Sequence, residues 1–132
     1  MLDTNVLIRA ERRRGQFDFQ KWDSYGEVFI SAITVSELLI GVHRADTESR
    51  RVRRSAFVEA ILARVPVLDF TLAGARIHAG LYAALANTGQ LIGAHDLIIA
   101  ATAISHGCAL LTANIAEFKR VPGLEVVALE ET

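Results

Sequence analysis

Asp3, Glu37, Asp96 and Glu117 are carboxylates far apart in the chain, and each stands where a short apolar run or a turn gives way to helical spacing. Thr112 and Asn114 accompany Glu117 after the apolar run at 109–111. In a sheet whose strands run parallel, the residues that follow the strands gather at one end, where ligands bind. Carboxylates gathered there repel one another, and burial raises their pKa values. A divalent cation relieves both difficulties, and Mg²⁺ takes oxygen ligands, usually one or two carboxylates plus water. Such a site orients water for attack on a phosphodiester and stabilises the leaving oxygen. The chemistry these residues point to is metal-dependent phosphodiester hydrolysis.

Each acid also has a structural use. Asp3, like Thr4 and Asn5 beside it, is a good helix N-cap. Thr34, Val35, Ser36 and Glu37 fit a capping box, in which Glu37 only satisfies backbone N–H groups. Asp96 suits the first turn of a helix, where the dipole favours an acid. Glu117 suits a solvated surface, Asn114 a turn, and His95 either tunes Asp96 or is structural. The joint pattern favours the site, because each acid follows or adjoins a different strand end. Asp69 is explained by a turn or cap before Thr71, and Asp18, Asp23 and Asp46 read as surface.

The elements that must position these groups are short. Residues 28–30, 67–68, 109–111 and 125–127 read as strands, with Leu2 the remnant of a first one. Helices are expected from Asp3-Thr4-Asn5 to about Glu11, and over 16–25, 34–41, 48–64, 71–86 and 96–106. The expected buried stripes are Val52, Ala56, Ala60 and Ile61 in one, and Leu72, Ala75, Ala79, Tyr82 and Ala86 in another. Strands without apolar/polar alternation are covered on both faces, the mark of a parallel sheet in an α/β sandwich.

Composition narrows the classes. The chain has 132 residues, 52% of them hydrophobic, with 14 Lys plus Arg against 15 Asp plus Glu. High apolar content at near-zero net charge excludes a disordered chain. A sequence pI of about 6.4 excludes a generally basic nucleic-acid coat. The lone Cys108 excludes an intramolecular disulfide, and with His106 it makes no catalytic pair, since it is expected to begin a buried strand. Zinc spacing and a glycine-rich phosphate loop are both missing. With no leader pattern and no apolar run near the ~18 residues of a membrane span, one cytoplasmic domain over 1–132 is expected. Arginine is clustered at Arg12, Arg13 and Arg14, and again at Arg44, Arg50, Arg51, Arg53 and Arg54. The second cluster either tracks an RNA backbone or forms a solvated face that pairs with a protein partner. Phe17, Phe19 and Trp22 read as core, with a partner surface as the second choice.

Four segments carry a resemblance. MLDTNVLI at 1–8, SAITVSELLIG at 31–41, GAHDLIIAATA at 93–103 and LTANIAEFKRVPGL at 111–124 resemble, in order, the motifs of PIN domains. They look most like VapC-type toxins of VapBC toxin–antitoxin pairs. The resemblance implies a three-layer α/β/α sandwich with a mainly parallel five-stranded sheet. It implies Mg²⁺- or Mn²⁺-dependent endonucleolytic cleavage of RNA, with 5′-phosphate and 3′-hydroxyl products. It also implies a homodimer held inactive by a VapB-like antitoxin. Carried over by position, Asp3, Glu37 and Asp96 form the acidic core, with Asp3 and Asp96 as metal ligands. Glu117 supplies the remaining charge where Asn114 replaces an acid, and Asn5 and Thr112 support. Only Met1 and Leu2 precede Asp3, where relatives usually carry a few more residues, so either the first strand is very short or the chain begins downstream of its natural start. Two other readings remain: an aspartyl-phosphate phosphotransferase or phosphatase, which also places an Asp after a strand, and a PIN-like module that binds without cutting.

Overall fold

In the computed structural model, residues 1–14 and 19–129 are described; Arg14 and Phe19 have described backbone only, and Phe17 and Asp18 lie outside these residues. The elements in order are α1 (Thr4–Arg14), α2 (Phe19–Asp23), β1 (Ile30–Ser31), α3 (Ala32–His43), α4 (Glu48–Leu62), β2 (Val67–Leu68), α5 (Leu72–Asn87), α6 (Ala94–Ser105), β3 (Leu110–Thr112), α7 (Ile115–Phe118) and β4 (Val126–Ala128).

The class is α/β with parallel pairing, but the expected continuous five-stranded sheet is divided. β1 pairs with β2 through Ile30 opposite Val67, and β3 pairs with β4 through Leu110 opposite Val126, both parallel. Residues 1–3 run between the two pairs. Leu2 makes a single parallel bridge to Leu111. On one side the Leu2 N–H donates to the Phe29 carbonyl at 2.9 Å; on the other, the Asp3 N–H donates to the Leu111 carbonyl and the Leu111 N–H to the Met1 carbonyl, each at 2.9 Å. β1 and β3 are buried throughout, whereas Val67 of β2 is 39% exposed, so burial on both faces holds only for the inner strands.

Successive strand residues face opposite sides of a sheet, and the core divides accordingly. Leu2 and Leu111 join Leu7, Leu38, Phe57 and Ile61, which belong to α1, α3 and α4. Met1 and Leu110 join Leu81, Leu85, Leu97 and Phe118, from α5, α6 and α7.

Helix starts follow hydroxyl caps: Ser31, Thr47 and Thr71 accept the N–H groups of Thr34, Arg50 and Gly74. The cap at Ser31 corrects the expected capping box, since α3 begins at Ala32 and Glu37 falls in its second turn. Both expected stripes are also corrected. α4 buries Phe57, Val58 and Ile61 while Val52 is 58% exposed. α5 buries Gly74, Leu81 and Leu85 while Leu72 is 71% exposed. In α4 the stripe with the larger apolar area, Phe57 and Val58 beside Ile61, wins over the alanine-rich one; α5 turns Leu81 and Leu85 inward and leaves Tyr82 with Leu72 exposed. Gly74 lies where a Cβ would meet the Phe70 ring at 3.3 Å and the Ser105 hydroxyl at 3.6 Å, so its small size lets α5 lie close on α6. Cys108 precedes β3 and is partly exposed, rather than beginning a buried strand.

Candidate active site

Four chain segments meet at the carboxyl ends of β1 and β3. Asp3 ends the central row and leads into α1. Its Oδ1 accepts the Thr4 N–H at 2.8 Å, and its Oδ2 accepts the Thr112 hydroxyl at 2.7 Å. Thr112 is fully buried at the end of β3, where its oxygen also accepts the Asn114 N–H at 2.9 Å and the Asn5 amide at 3.4 Å. The Asn5 side-chain oxygen accepts the Ala113 N–H at 3.3 Å. Asn5, Thr112 and Asn114 therefore brace the loop after β3 against the start of α1.

Glu37 reaches the same place from α3. Its Oε1 accepts the Thr4 hydroxyl at 2.8 Å, and its Oε2 lies 3.7 Å from Nδ1 of His95. Asp96 sits in the first turn of α6. It stands near a helix start, as expected, and α6 succeeds α5 directly. Glu117 is carried by α7, a one-turn helix that periodicity did not reveal because four residues hold too little pattern. Its Oε1 accepts the Gly93 N–H at 2.9 Å, and its Oε2 accepts a short hydrogen bond from the Asn114 amide. Gly93 caps α6 with no side chain, and a Cβ there would stand 3.5 Å from Asp96 Oδ2 and 3.7 Å from Glu117 Oε1.

The acids lie near enough to act on one another's charge. Burial pushes the Asp3 carboxyl above the usual range, against the hydrogen bonds from Thr112 and Thr4, and the charges of Glu37 and Glu117 add to the rise. Asp96 is pushed up to about 7, first by burial and then by the negative charges of Glu117, Asp3 and Glu37. Glu117 moves the other way, held low chiefly by the Gly93 N–H, with help from the Asn114 amide. The Asp96–Glu117 pair therefore shares a proton that Asp96 keeps. Among the described residues, no three His, Cys, Asp or Glu side chains are gathered closely enough to hold a metal ion as they stand. The donor set nevertheless suits a hard cation: all oxygen, predominantly carboxylate, and under a repulsion that one member relieves by protonation.

The second arginine cluster has local partners. Arg50 donates twice to Asp46, at 2.7 and 2.8 Å, Arg51 to Glu48 at 2.9 Å, and Arg54 to the Gly41 carbonyl at 2.9 Å. Arg44 and Arg53 are exposed. Asp46 is a surface residue as expected, its carboxyl held low by the Arg50 hydrogen bond. The sequence reading missed Thr4, Thr34, Ser31 and Gly93 as parts of the site; the signal was their place in the segments at 1–8, 31–41 and 93–103 that also carry Asp3, Glu37 and Asp96.

Comparison with known proteins covers nearly the whole chain. The PIN domain family model matches residues 1–124. Ribonuclease VapC1 of Rickettsia felis is 40% identical over 129 residues, 98% of this chain and 95% of the relative. The tRNA(fMet)-specific endonuclease VapC of Shigella flexneri is 33% identical over 125 residues, 94% of this chain and 92% of the relative. A chain in the crystal structure of VapBC2 from Rickettsia felis, bound to a promoter DNA fragment, superposes with a TM-score of 0.85 at 28% identity, covering 98% of both chains.

Proposed function

The chain belongs to the PIN-domain family, and from that premise we propose that it is a VapC-type endoribonuclease, the toxin of a toxin–antitoxin pair. The observation that carries the reading is the hydrogen-bond network that draws the acids together: Asp3 is joined through Thr112 and Asn114 to Glu117, Glu117 to Gly93 at the start of the helix that carries Asp96, and Glu37 to Thr4 beside Asp3.

Asp3 and Asp96 would hold Mg²⁺ or Mn²⁺, with Glu37 and Glu117 completing the negative field. When bound, the ion would lower the pKa of a water and screen the charge that develops on the departing 3′ oxygen. The chain's own residues do the rest. Thr112 and Thr4 fix the two oxygens of Asp3. Gly93 and Asn114 fix Glu117, so that in the metal-free pocket the proton sits on Asp96, which would release it on binding the ion. Glu37 offers Oε2 to the pocket while Thr4 holds Oε1. Arg44 and Arg53 are the members of the arginine cluster best placed to meet an RNA backbone; Arg50, Arg51 and Arg54 would first exchange their present partners.

The partner is a VapB-like antitoxin, as the likeness to a chain of a VapBC complex supports. The toxin acts as a single PIN domain over residues 1–132, as a homodimer in the cytoplasm. Among the described residues, no helix is long and apolar enough to cross a membrane. The aspartyl-phosphate alternative loses ground, because Asp3-Thr4-Asn5 lacks the second Asp that follows the nucleophile in dehalogenase-like domains.

The test is cleavage of RNA by the purified protein, free of antitoxin, with Mg²⁺ or Mn²⁺, with EDTA, and with Asp96→Asn. Cleavage that needs the metal and is lost in Asp96→Asn is the expected result; cleavage that survives the substitution refutes the role of Asp96.

A further inference from the structure

A line of hydroxyls runs from the protein interior to Glu37. Ser31 and Thr34 are buried, at 1% and 0% exposure, and Thr4 is 7% exposed. The Ser31 and Thr34 hydroxyl oxygens are 3.0 Å apart, those of Thr34 and Thr4 are 3.1 Å apart, and the Thr4 oxygen is 2.8 Å from Glu37 Oε1. Ser31 also accepts the Thr34 N–H at 3.1 Å, the bond that starts α3.

The direction of the line follows from counting protons. A hydroxyl has one to give, and a carboxylate has none. Thr4 therefore gives its proton to Glu37, Thr34 gives its own to Thr4, and Ser31 gives its own to Thr34. Every O–H dipole then points toward the carboxylate, and aligned hydrogen bonds in a buried line strengthen one another. The line also ties the first residue of α1 to the cap of α3, two elements that arrive from sequence positions about 30 apart. Nothing else about Thr34 explains a hydroxyl there: it is a fully buried side chain where a valine would have the same shape.

We propose that Thr4, oriented by Thr34 and Ser31, is the positioning residue that fixes Glu37 in the pocket and aims its second oxygen at the reacting centre. This rests on the ribonuclease reading. Thr4 does not itself touch the reacting atoms; it acts through Glu37.

The experiment compares Thr4→Val, which keeps the shape and removes the donor, with Thr4→Ser, which keeps the donor, and repeats Thr4→Val in a Glu37→Gln background. We expect Thr4→Val to lower kcat about 10-fold with KM changed less than about 2-fold, the pattern of an interaction that matters in the transition state. Thr4→Ser should stay within about 3-fold of the parent, since the donor remains. In the Glu37→Gln background Thr4→Val should cost less than about 2-fold more, because the two residues act as one unit. Thr34→Val, one step down the line, should lower kcat about 3-fold, and it serves if Thr4→Val does not fold. A Thr4→Val enzyme that turns over at the parent rate, or whose loss multiplies fully with that of Glu37→Gln, overturns the proposal. Calorimetric titration with Mn²⁺ gives a second readout. Weaker binding in both Thr4→Val and Glu37→Gln is expected, whereas weaker binding in Glu37→Gln alone overturns the proposal. A parent protein that cuts no RNA but shows this shared Mn²⁺ defect would sink the ribonuclease reading and leave the role of Thr4 standing.

Discussion

The two sides of the acid pocket handle the same problem differently. On the Asp3–Glu37 side, hydroxyl groups from Thr112 and Thr4 donate to the carboxylates. On the Asp96–Glu117 side, two carboxyl groups face each other, and relief comes from a proton that Asp96 holds up to about pH 7. The first side is settled by the fold alone. The second is balanced against something the chain does not supply, and a cation is the natural replacement for that proton. The contrast lies in how each side is held: hydroxyl donors fix Asp3 and Glu37 in place, whereas Asp96 keeps a proton that an arriving cation would displace.

Breaking the second side should have the largest effect. Asp96→Asn should lower RNA cleavage at least about 100-fold. It should also raise the melting temperature of the metal-free protein by about 2–4 °C, because it removes a repulsion rather than a bond. Loss of activity with unchanged or lower stability would show that the two carboxyl groups do not strain the fold. Breaking the first side should do the reverse. Thr112→Val leaves every acid in place, yet it should cost about 1–3 kcal/mol of stability in denaturant titration, since the Asn114 N–H and Asp3 lose their buried partner.

A pH series sharpens the comparison further. The Asp96 pKa is raised from its ordinary value of 3.8 to about 7. A raised acid stabilises the fold when protonated, so its contribution is present below pH 3.8 and is lost as the pH rises through 7. Asp3 moves in the same direction, and the lowered Glu117 acts only at the acid end. The melting temperature of the metal-free protein should therefore fall between about pH 4 and pH 7.5, and the fall should flatten in Asp96→Asn. Mg²⁺ should raise the melting temperature more at pH 7.5 than at pH 5, because at the higher pH it no longer competes with the proton. Asn114→Ala should have the smallest effect, about 2–5-fold on cleavage, as Glu117 keeps its bond to Gly93. An effect as large as that of Asp96→Asn would move Asn114 into the centre of the site.

The pocket's acids were legible in the sequence because their signals are local: an acid, its helix start and the apolar run beside it lie within a few residues. Their partners were not. Thr4 and Thr34 are 30 residues apart, and a threonine's type does not say whether it caps, packs or relays a hydrogen bond. Asp96 is legible as a helix-start acid, but the sequence does not say which strand end it adjoins, because α6 follows α5 with only a turn before it. The buried faces of α4 and α5 were misread for a different reason. Both helices carry two apolar stripes, and periodicity gives equal weight to Ala56 and Phe57 although their areas differ. Sheet pairing was readable in kind, parallel, but not in extent, because two- and three-residue strands leave little pattern to count.

The central row has a consequence for the order of events during synthesis. Met1 and Leu2 are buried between β1 and β3, and the Leu111 N–H donates to the Met1 carbonyl, 110 residues away. Contacts of such long range form slowly, because a long loop must close before they return anything. Residues 1–3 leave the ribosome far ahead of the strand they dock on. Until that strand emerges, Asp3 has neither Thr112 nor Glu117 beside it, so a nascent chain carries no complete pocket. Assembly of the acid centre is thereby deferred until residues 110–117 have been made.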